Sequence, residues 1–272
     1  MSGLRIPLNG TPDGSGTASA VNVLAPNPSP MTLDGTNTWI VGRPDAATAL
    51  VVDPGPSDDE GHLRRVLERL AGRRVASILL THGHDDHSGA AARFAELTGA
   101  PVRALDPRHR LGGEGLGDGD VVAAGGVELR IVGTPGHSSD SLSFWLPADR
   151  AMFTGDTVLG RGTTVIGHDG DLTDYLCSLD RLRAMAESVE AAVLLPGHGP
   201  TLPDPVLVLD GYIAHRRERL DQIRLAQAAG AATPRQIVEM VYADVDESLW
   251  EAAEMSVRAQ LAYLDQGQRD RL

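Results

Sequence analysis

Thr81-His82-Gly83-His84-Asp85-Asp86-His87 is the stretch that decides how this chain is read. It follows the apolar run Ser77-Ile78-Leu79-Leu80 and precedes a segment of helical character. With 9 His in 272 residues, a chance His-x-His-x-Asp-His is expected in roughly one such sequence per thousand. A strand end delivers His82 and His84 in one direction, because residues two apart in extended chain share a face. Asp86 and His87 then point elsewhere, so one loop can serve two neighbouring metal positions.

Two ligands hold a catalytic ion poorly, and a catalytic zinc usually takes three protein ligands plus water. The remaining donors are supplied further on. Thr134-Pro135-Gly136-His137 follows the strand-like ELRIVG, Phe153-Thr154-Gly155-Asp156 ends another strand, and Pro196-Gly197-His198-Gly199 follows AAVLL. Each places a polar residue on a Gly-bearing turn just past a strand, as strand ends converging on one site would. This reading assigns His82, His84 and His137 to one ion, Asp86, His87 and His198 to the other, and Asp156 as the bridge. Asp53, in Val51-Val52-Asp53-Pro54-Gly55, is expected to accept a hydrogen bond from the His loop or from a ligand His. A turn-forming Asp is the competing reading. Thr81, Ser88 and Ser138 flank ligands and read equally well as local backbone caps.

Outward from these turns, β-branched runs predict strands over 21–24, 37–41, 48–52, 77–80, 127–132, 142–146 and 151–153, enough for two sheets. A helix capped by Ser57 is expected over 58–70, and a second over 88–97. Leu172, Tyr175, Leu176, Leu179 and Leu182 recur at helical spacing, with Asp171 or Thr173 opening that helix. Cys177 lies beside this stripe and reads as a small core or semi-buried residue. A Pro-rich link over 196–205 leads to a long helix over 206–229. Thr233 with Pro234 opens a short helix, Asp246 or Ser248 opens a last one, and the chain closes in the polar GQRDRL.

Composition bounds the function. With 42% hydrophobic and 22% charged residues, the chain can bury a core and is not a disordered polymer. No apolar run approaches the roughly 20 residues of a membrane helix. The first twenty residues lack an apolar signal core, which reads as a cytoplasmic protein with no membrane partner. One cysteine excludes an intrachain disulfide and a thiolate metal cluster, so metal must sit on His and carboxylates. A net charge of −13, with Arg as the sole basic side chain besides His, argues against long-range capture of nucleic acid.

Taken in order, Asp53 in VVDPG, His82 to His87, His137, Asp156 and His198 resemble the five motifs of the metallo-β-lactamase fold superfamily. The resemblance implies an α/β fold, the αβ/βα sandwich, with two Zn2+ per chain at one edge. It also implies that Asp86 and Asp156 take part in catalysis and that hydroxide bridging the metals is the nucleophile. Secreted antibiotic-destroying enzymes of this fold commonly use a Cys as a ligand to the second metal, and this chain departs from them. A narrower likeness, to the β-lactamase-like protein two family, runs from residues 27–33 (NPSPMTL) and 35–39 (GTNTW) through 160–165 (GRGTTV) to 196–200 (PGHGP). Residues 233–264 are similar to that family's small winged-helix-like cap. The implied division is a catalytic domain over 1–204 and a linker helix with helical cap over 205–272.

That family includes an endoribonuclease for single-stranded RNA, and related fungal enzymes release polyketides as thioesterases. The leading reading is a zinc-dependent hydrolase of an ester or thioester on a small-molecule or carrier-linked substrate. Cleavage of single-stranded RNA is the alternative, supported by His215-Arg216-Arg217-Glu218-Arg219. It is opposed by residues 233–272, where four Arg face eight Asp and Glu. Were Arg161, Arg216, Arg217 and Arg219 to gather beside the ions, they would form a positive groove that favours RNA. A third, non-enzymatic reading makes the tail the contact of a homodimer and the zinc site a relic. His62, His109, His168 and His215 lie outside the motifs and read as surface or satisfied core, with His168 left open.

Overall fold

Most strand-forming runs in this chain are apolar on both faces, and that sets the layer order. The structure, a computed structural model, describes residues 14–269. Residues 1–13 and the last three residues of the polar terminus lie outside them.

β1 (Ala20–Leu24), β2 (Asn37–Val41), β3 (Thr48–Val52), β4 (Arg74–Leu79) and β5 (Val102–Arg103) form one sheet in that spatial order. The first three are antiparallel, and the pairs β3/β4 and β4/β5 are parallel. The second sheet runs, from its far edge, β11 (Leu202–Pro203), β10 (Val193–Pro196), β9 (Ala151–Gly155), β8 (Leu142–Leu146), β7 (Val127–Gly133) and β6 (Val121–Ala124). Only its β9/β10 pair is parallel. Alternation assigns the faces. Trp39, Val41, Leu50 and Val52 point to the middle and meet Leu129, Ile131, Phe144 and Phe153 of the second sheet. Trp39 and Phe153 touch edge to face at 5.7 Å. Ile40, Ala49 and Val51 face outward onto helices.

Those helices are α1 (Glu60–Leu70), α2 (Asp85–Ser88) and α3 (Ala91–Thr98) on the first sheet. α4 (Leu172–Ser188) and α5 (Pro205–Ala228) pack with Trp145, Met152 and Leu194 of the second. The result is the expected αβ/βα sandwich. The cap of α1 is Asp59, whose side chain accepts from the His62 amide, and not Ser57. Ser57 Oγ instead donates to Asp85 at 3.0 Å. The single helix expected over 88–97 is broken in two, because the Ala90 amide donates to the Gly55 carbonyl at 3.0 Å. Gly89 permits that approach: a Cβ there would lie 2.5 Å from the Ser57 amide nitrogen. Asp171 caps α4. Cys177 is exposed on α4, contrary to the core or semi-buried reading, and Ser178 takes the inward position.

α6 (Pro234–Val241) opens with a Thr233/Gln236 capping box, and α7 (Trp250–Arg269) closes the described chain. Ile237, Val238, Ala253 and Val257 join the core built by α4 and α5, so the cap shares one apolar cluster with the second sheet's outer layer. Among the described residues no helix is long and apolar enough to cross a membrane.

Candidate metal centre

Five strands deliver the polar residues to one edge of the sandwich. Asp53 follows β3, the His loop follows β4, His137 lies past β7, Asp156 follows β9 and His198 follows β10. The sheets are tied together there: Leu142 N donates to Thr81 O, and Asn37 donates to the carbonyls of Pro196 and Gly199, both at 2.9 Å. Asn37 was missed in the sequence. Its only signal in the sequence is an Asn at the start of the strand Asn37–Val41, and the structure shows it fully buried with these partners.

The seven donors do meet. Ring nitrogens of His82, His84 and His137 form one group that could hold an ion, and Asp86, His87 and His198 form another. Asp156 reaches both, with Oδ2 3.3 Å from His198 Nε2 and 3.8 Å from His137 Nε2. Its buried Oδ1 has His87 Nε2 3.4 Å away but no hydrogen-bond partner among the described residues. Gly197 is pressed against this carboxylate, where a Cβ would lie 2.6 Å from Asp156 Oδ1.

The hydrogen bonds fix which ring nitrogens face inward. His87 Nδ1 donates to Asp53 Oδ2 at 2.9 Å, His84 Nε2 to Asp169 at 2.9 Å, His137 Nδ1 to Val165 O at 2.9 Å and His198 Nδ1 to Gly35 O at 3.2 Å. Thr81 Oγ1 gives its hydrogen to Asp53 at 2.6 Å and so accepts from His82 Nδ1. Every neutral imidazole therefore turns a lone pair to the interior. These lone pairs confront one another: His82 Nε2 to His84 Nδ1 at 3.1 Å, His84 Nδ1 to His137 Nε2 at 3.0 Å, and His87 Nε2 to His198 Nε2 at 3.1 Å. Such contacts repel unless positive charge lies between them, and with the orphaned Asp156 oxygen they make a donor set that fits cations.

Proton affinities express the same deficit. Burial pulls His87 down, but Asp86, Asp156 and Asp53 outweigh it and hold the imidazole well above its ordinary range. For His198, Asp156 and Asp86 likewise overcome burial and lift it to about 9. Burial raises Asp86, yet His87 and His198 bring it to about 2, and the same two imidazoles hold Asp156 well below the carboxylate range. In the other group burial dominates, so His82 lies well below 6.5 and His137 below it. His82 and His137 are thus neutral at pH 7, whereas His87 and His198 must release protons to accept an ion.

Asp53 takes the orienting role expected of it, accepting from Thr81 N, Thr81 Oγ1 and His87. Asp169, which orients His84, was not anticipated, because it becomes adjacent only through the long loop after β9. Ser88 donates to Gly83 O and Ser138 to Asp140, as local caps. His62 is a satisfied core residue, fully buried against Thr38 Oγ1 at 2.8 Å. His168 is exposed beside Asp169.

Beside Asp156 and His137 opens a cavity of about 350 Å3 between the loops of the metal centre and the C-terminal helices. Met31, Leu33 and Leu159 wall one side, and Val245, Leu249 and Ala253 the other. Of the four arginines singled out in the sequence, Arg161, Arg216 and Arg219 line it, while Arg217 is exposed and is not among the lining residues. Arg161 is matched by Asp34 in a two-pronged ion pair at 2.6 Å.

Residues 31–198 match the metallo-beta-lactamase superfamily, and residues 233–269 match the beta-lactamase associated winged helix domain. A beta-lactamase-like protein 2 homolog of Caenorhabditis elegans is 33% identical over 236 residues, covering 83% of this chain and 77% of the relative. An atrochrysone carboxyl ACP thioesterase of Aspergillus fumigatus is 34% identical over 246 residues, covering 82% and 73%. A beta-lactamase domain protein from Burkholderia ambifaria superposes with a TM-score of 0.80 at 24% identity, over 97% of this chain and 91% of that one, a likeness of fold.

Proposed function

The chain belongs to the metallo-beta-lactamase superfamily, and from that premise we propose that it is a dinuclear zinc-dependent hydrolase of an ester or thioester on a small or carrier-linked acyl substrate. The observation that carries this is the inward convergence of five imidazole lone pairs on two carboxylates. His82, His84 and His137 would hold one ion, Asp86, His87 and His198 the other, with Asp156 shared. When bound, two zinc ions supply hydroxide near neutral pH and polarise the bond under attack.

The chain's own groups do the rest. Asp86 stays ionised, and 29% of its side chain reaches solvent, so it can accept a hydrogen bond from the attacking water and orient it. Asp53 and Asp169 hold three imidazoles in the tautomer that faces inward, Asp53 acting on His82 through Thr81. The apolar cavity walls exclude water around the acyl group.

The substrate class is supported by the cavity, which is small and walled by aliphatic side chains, and by the thioesterase named among the relatives. RNA is disfavoured by the arginines: Arg161 is neutralised by Asp34, Arg216 is buried and Arg217 does not line the cavity. The proposal includes a catalytic unit over 1–204 with a cap over 205–272, acting in the cytoplasm. Metal analysis with turnover of a generic thioester, a generic ester, a bis-aryl phosphodiester and single-stranded RNA tests it. Two zinc per chain with thioester or ester turnover is the expected result. One metal per chain after zinc supplementation, full activity on iron but not zinc, or efficient turnover of RNA alone would refute it.

A further inference from the structure

Among the described residues, two arginines that line the cavity beside the metal centre, Arg216 and Arg219, have no carboxylate in an ion pair with them. Arg216 projects from α5 and is 3% exposed. Its Nη2 donates to the Thr164 carbonyl and its guanidinium lies 4.8 Å from the centre of the Tyr175 ring, but its Nε has no partner. Arg219 stacks on Tyr242 at 4.3 Å and donates from Nη1 to Gln222 and to Val241 O, and its buried Nε is also unpartnered. His215 Nδ1 is a third buried atom without a partner. All three side chains line the cavity. Asp156, the carboxylate on the cavity wall, is engaged with His87 and His198, and Asp34 is taken up by Arg161. A buried charge and orphaned buried donors are costly, and an incoming anion would relieve both.

We propose that Arg216, with Arg219 and His215, forms a subsite for a carboxylate at the far end of an apolar acyl group. The physiological substrate is then an acyl ester or thioester whose acyl part ends in a carboxylate. This deepens the proposed function and rests on it for the bond that breaks, though not for the binding. Thr164 sets the spacing, since its Oγ1 donates to Asp156 O at 2.6 Å while its carbonyl accepts from Arg216. The guanidinium is therefore tied through Thr164 to the backbone of Asp156 at the metal centre, with the aliphatic cavity walls to receive the acyl body. Burial together with Arg216 and Arg219 brings His215 down to about 4, so at pH 7 it contributes a neutral hydrogen bond and not another charge. An RNA strand would need an exposed basic track, which a buried Arg216 does not offer.

Calorimetry on the metal-loaded full chain tests the subsite by comparing dicarboxylates, pentanedioate to octanedioate, with monocarboxylates of equal length. One carboxylate is common to each pair, so any coordination to the ions cancels in the ratio. The best dicarboxylate should bind about tenfold more tightly than its partner, the worth of one hydrogen-bonded charge pair. That ratio should fall to about one in R216Q and shrink in R219Q. Matched thioesters ending in carboxylate or carboxamide should show the same preference in kcat/KM, carried by KM and lost in R216Q. If Arg216 only braced the 160–166 loop, R216Q would weaken both members alike and leave the ratio intact, which would overturn the assignment. So would a wild-type ratio near one at every chain length, a result that needs no variant to fold. Tighter binding of a short oligoadenylate than of any dicarboxylate, lost in R216Q, would make the ligand a phosphate and refute the carboxylate. Absence of thioester turnover with the calorimetric ratio present would refute the hydrolase reading and uphold the subsite.

Discussion

Asp53→Asn changes one atom and should disturb both metal positions. Asp53 Oδ1 accepts from Thr81 N at 2.8 Å, and Oδ2 accepts from Thr81 Oγ1 at 2.6 Å and His87 Nδ1 at 2.9 Å. The amide nitrogen of Asn cannot face Thr81 N, a donor, so it takes the place of Oδ2. His87 must then move its proton from Nδ1 to Nε2, and the Thr81 hydroxyl must reverse, which drives the proton of His82 to Nε2 as well. One imidazole in each group now presents N–H where an ion needs a lone pair. Loss of an orienting partner costs about 10–100-fold in metal affinity, or about 1.4–2.7 kcal/mol per ion. The backbone is not a confounder, because Asn tolerates the left-handed φ of 51° at this position. Competition against a chromophoric chelator, fitted to two sites, measures both affinities. Asp169→Asn is the contrast, since it frees only His84 and should weaken one ion. The tautomer account fails if Asp53→Asn leaves both affinities within about threefold of wild type, or if Asp169→Asn moves both equally.

Asp156→Ala should lower hydrolysis by at least about 100-fold and reduce the bound metal from two ions toward one, read by turnover and elemental analysis. Gly197→Ala should lose metal too, because its Cβ would stand 2.6 Å from Asp156 Oδ1 and 2.7 Å from His87 Cε1; unchanged stoichiometry would contradict this crowding. In chelated protein, the raised His198 contributes stability that is complete below its ordinary 6.5 and lost as pH rises through about 9, so the melting temperature should fall across that window. Zinc should reverse the trend, since the ion requires the deprotonated ring. Phe153→Ala, at the centre of the inter-sheet core, should cost about 3–5 kcal/mol in urea denaturation. Any RNA cleavage should vanish as salt approaches about 0.15 M, while thioester hydrolysis persists; RNA activity insensitive to salt would count against the charge argument.

The layers, and the edge at which the site lies, are legible in the chain's apolar runs. Apolar runs such as TALVV and SILL are legible because a strand buried on both faces needs no polar residue until it emerges, and the first polar residue after each run marks its end. His82, His84, Asp86 and His87 were legible as a set because their spacing is local. Ser57 and Gly89 were not, since their roles depend on contacts made by α2 with the turn after β3, and local capping rules do not see such contacts. Tertiary structure alone decided the tautomers, through Asp169 and the carbonyls of Val165 and Gly35. It alone closed the cap over the metal edge, turning Arg216 from one member of an apparently solvated basic run into a buried, unbalanced charge. The difference is one of range. Periodicity and spacing report forces within a few residues, whereas the charge state and partners of a buried group are set by whatever distant segment excludes its water.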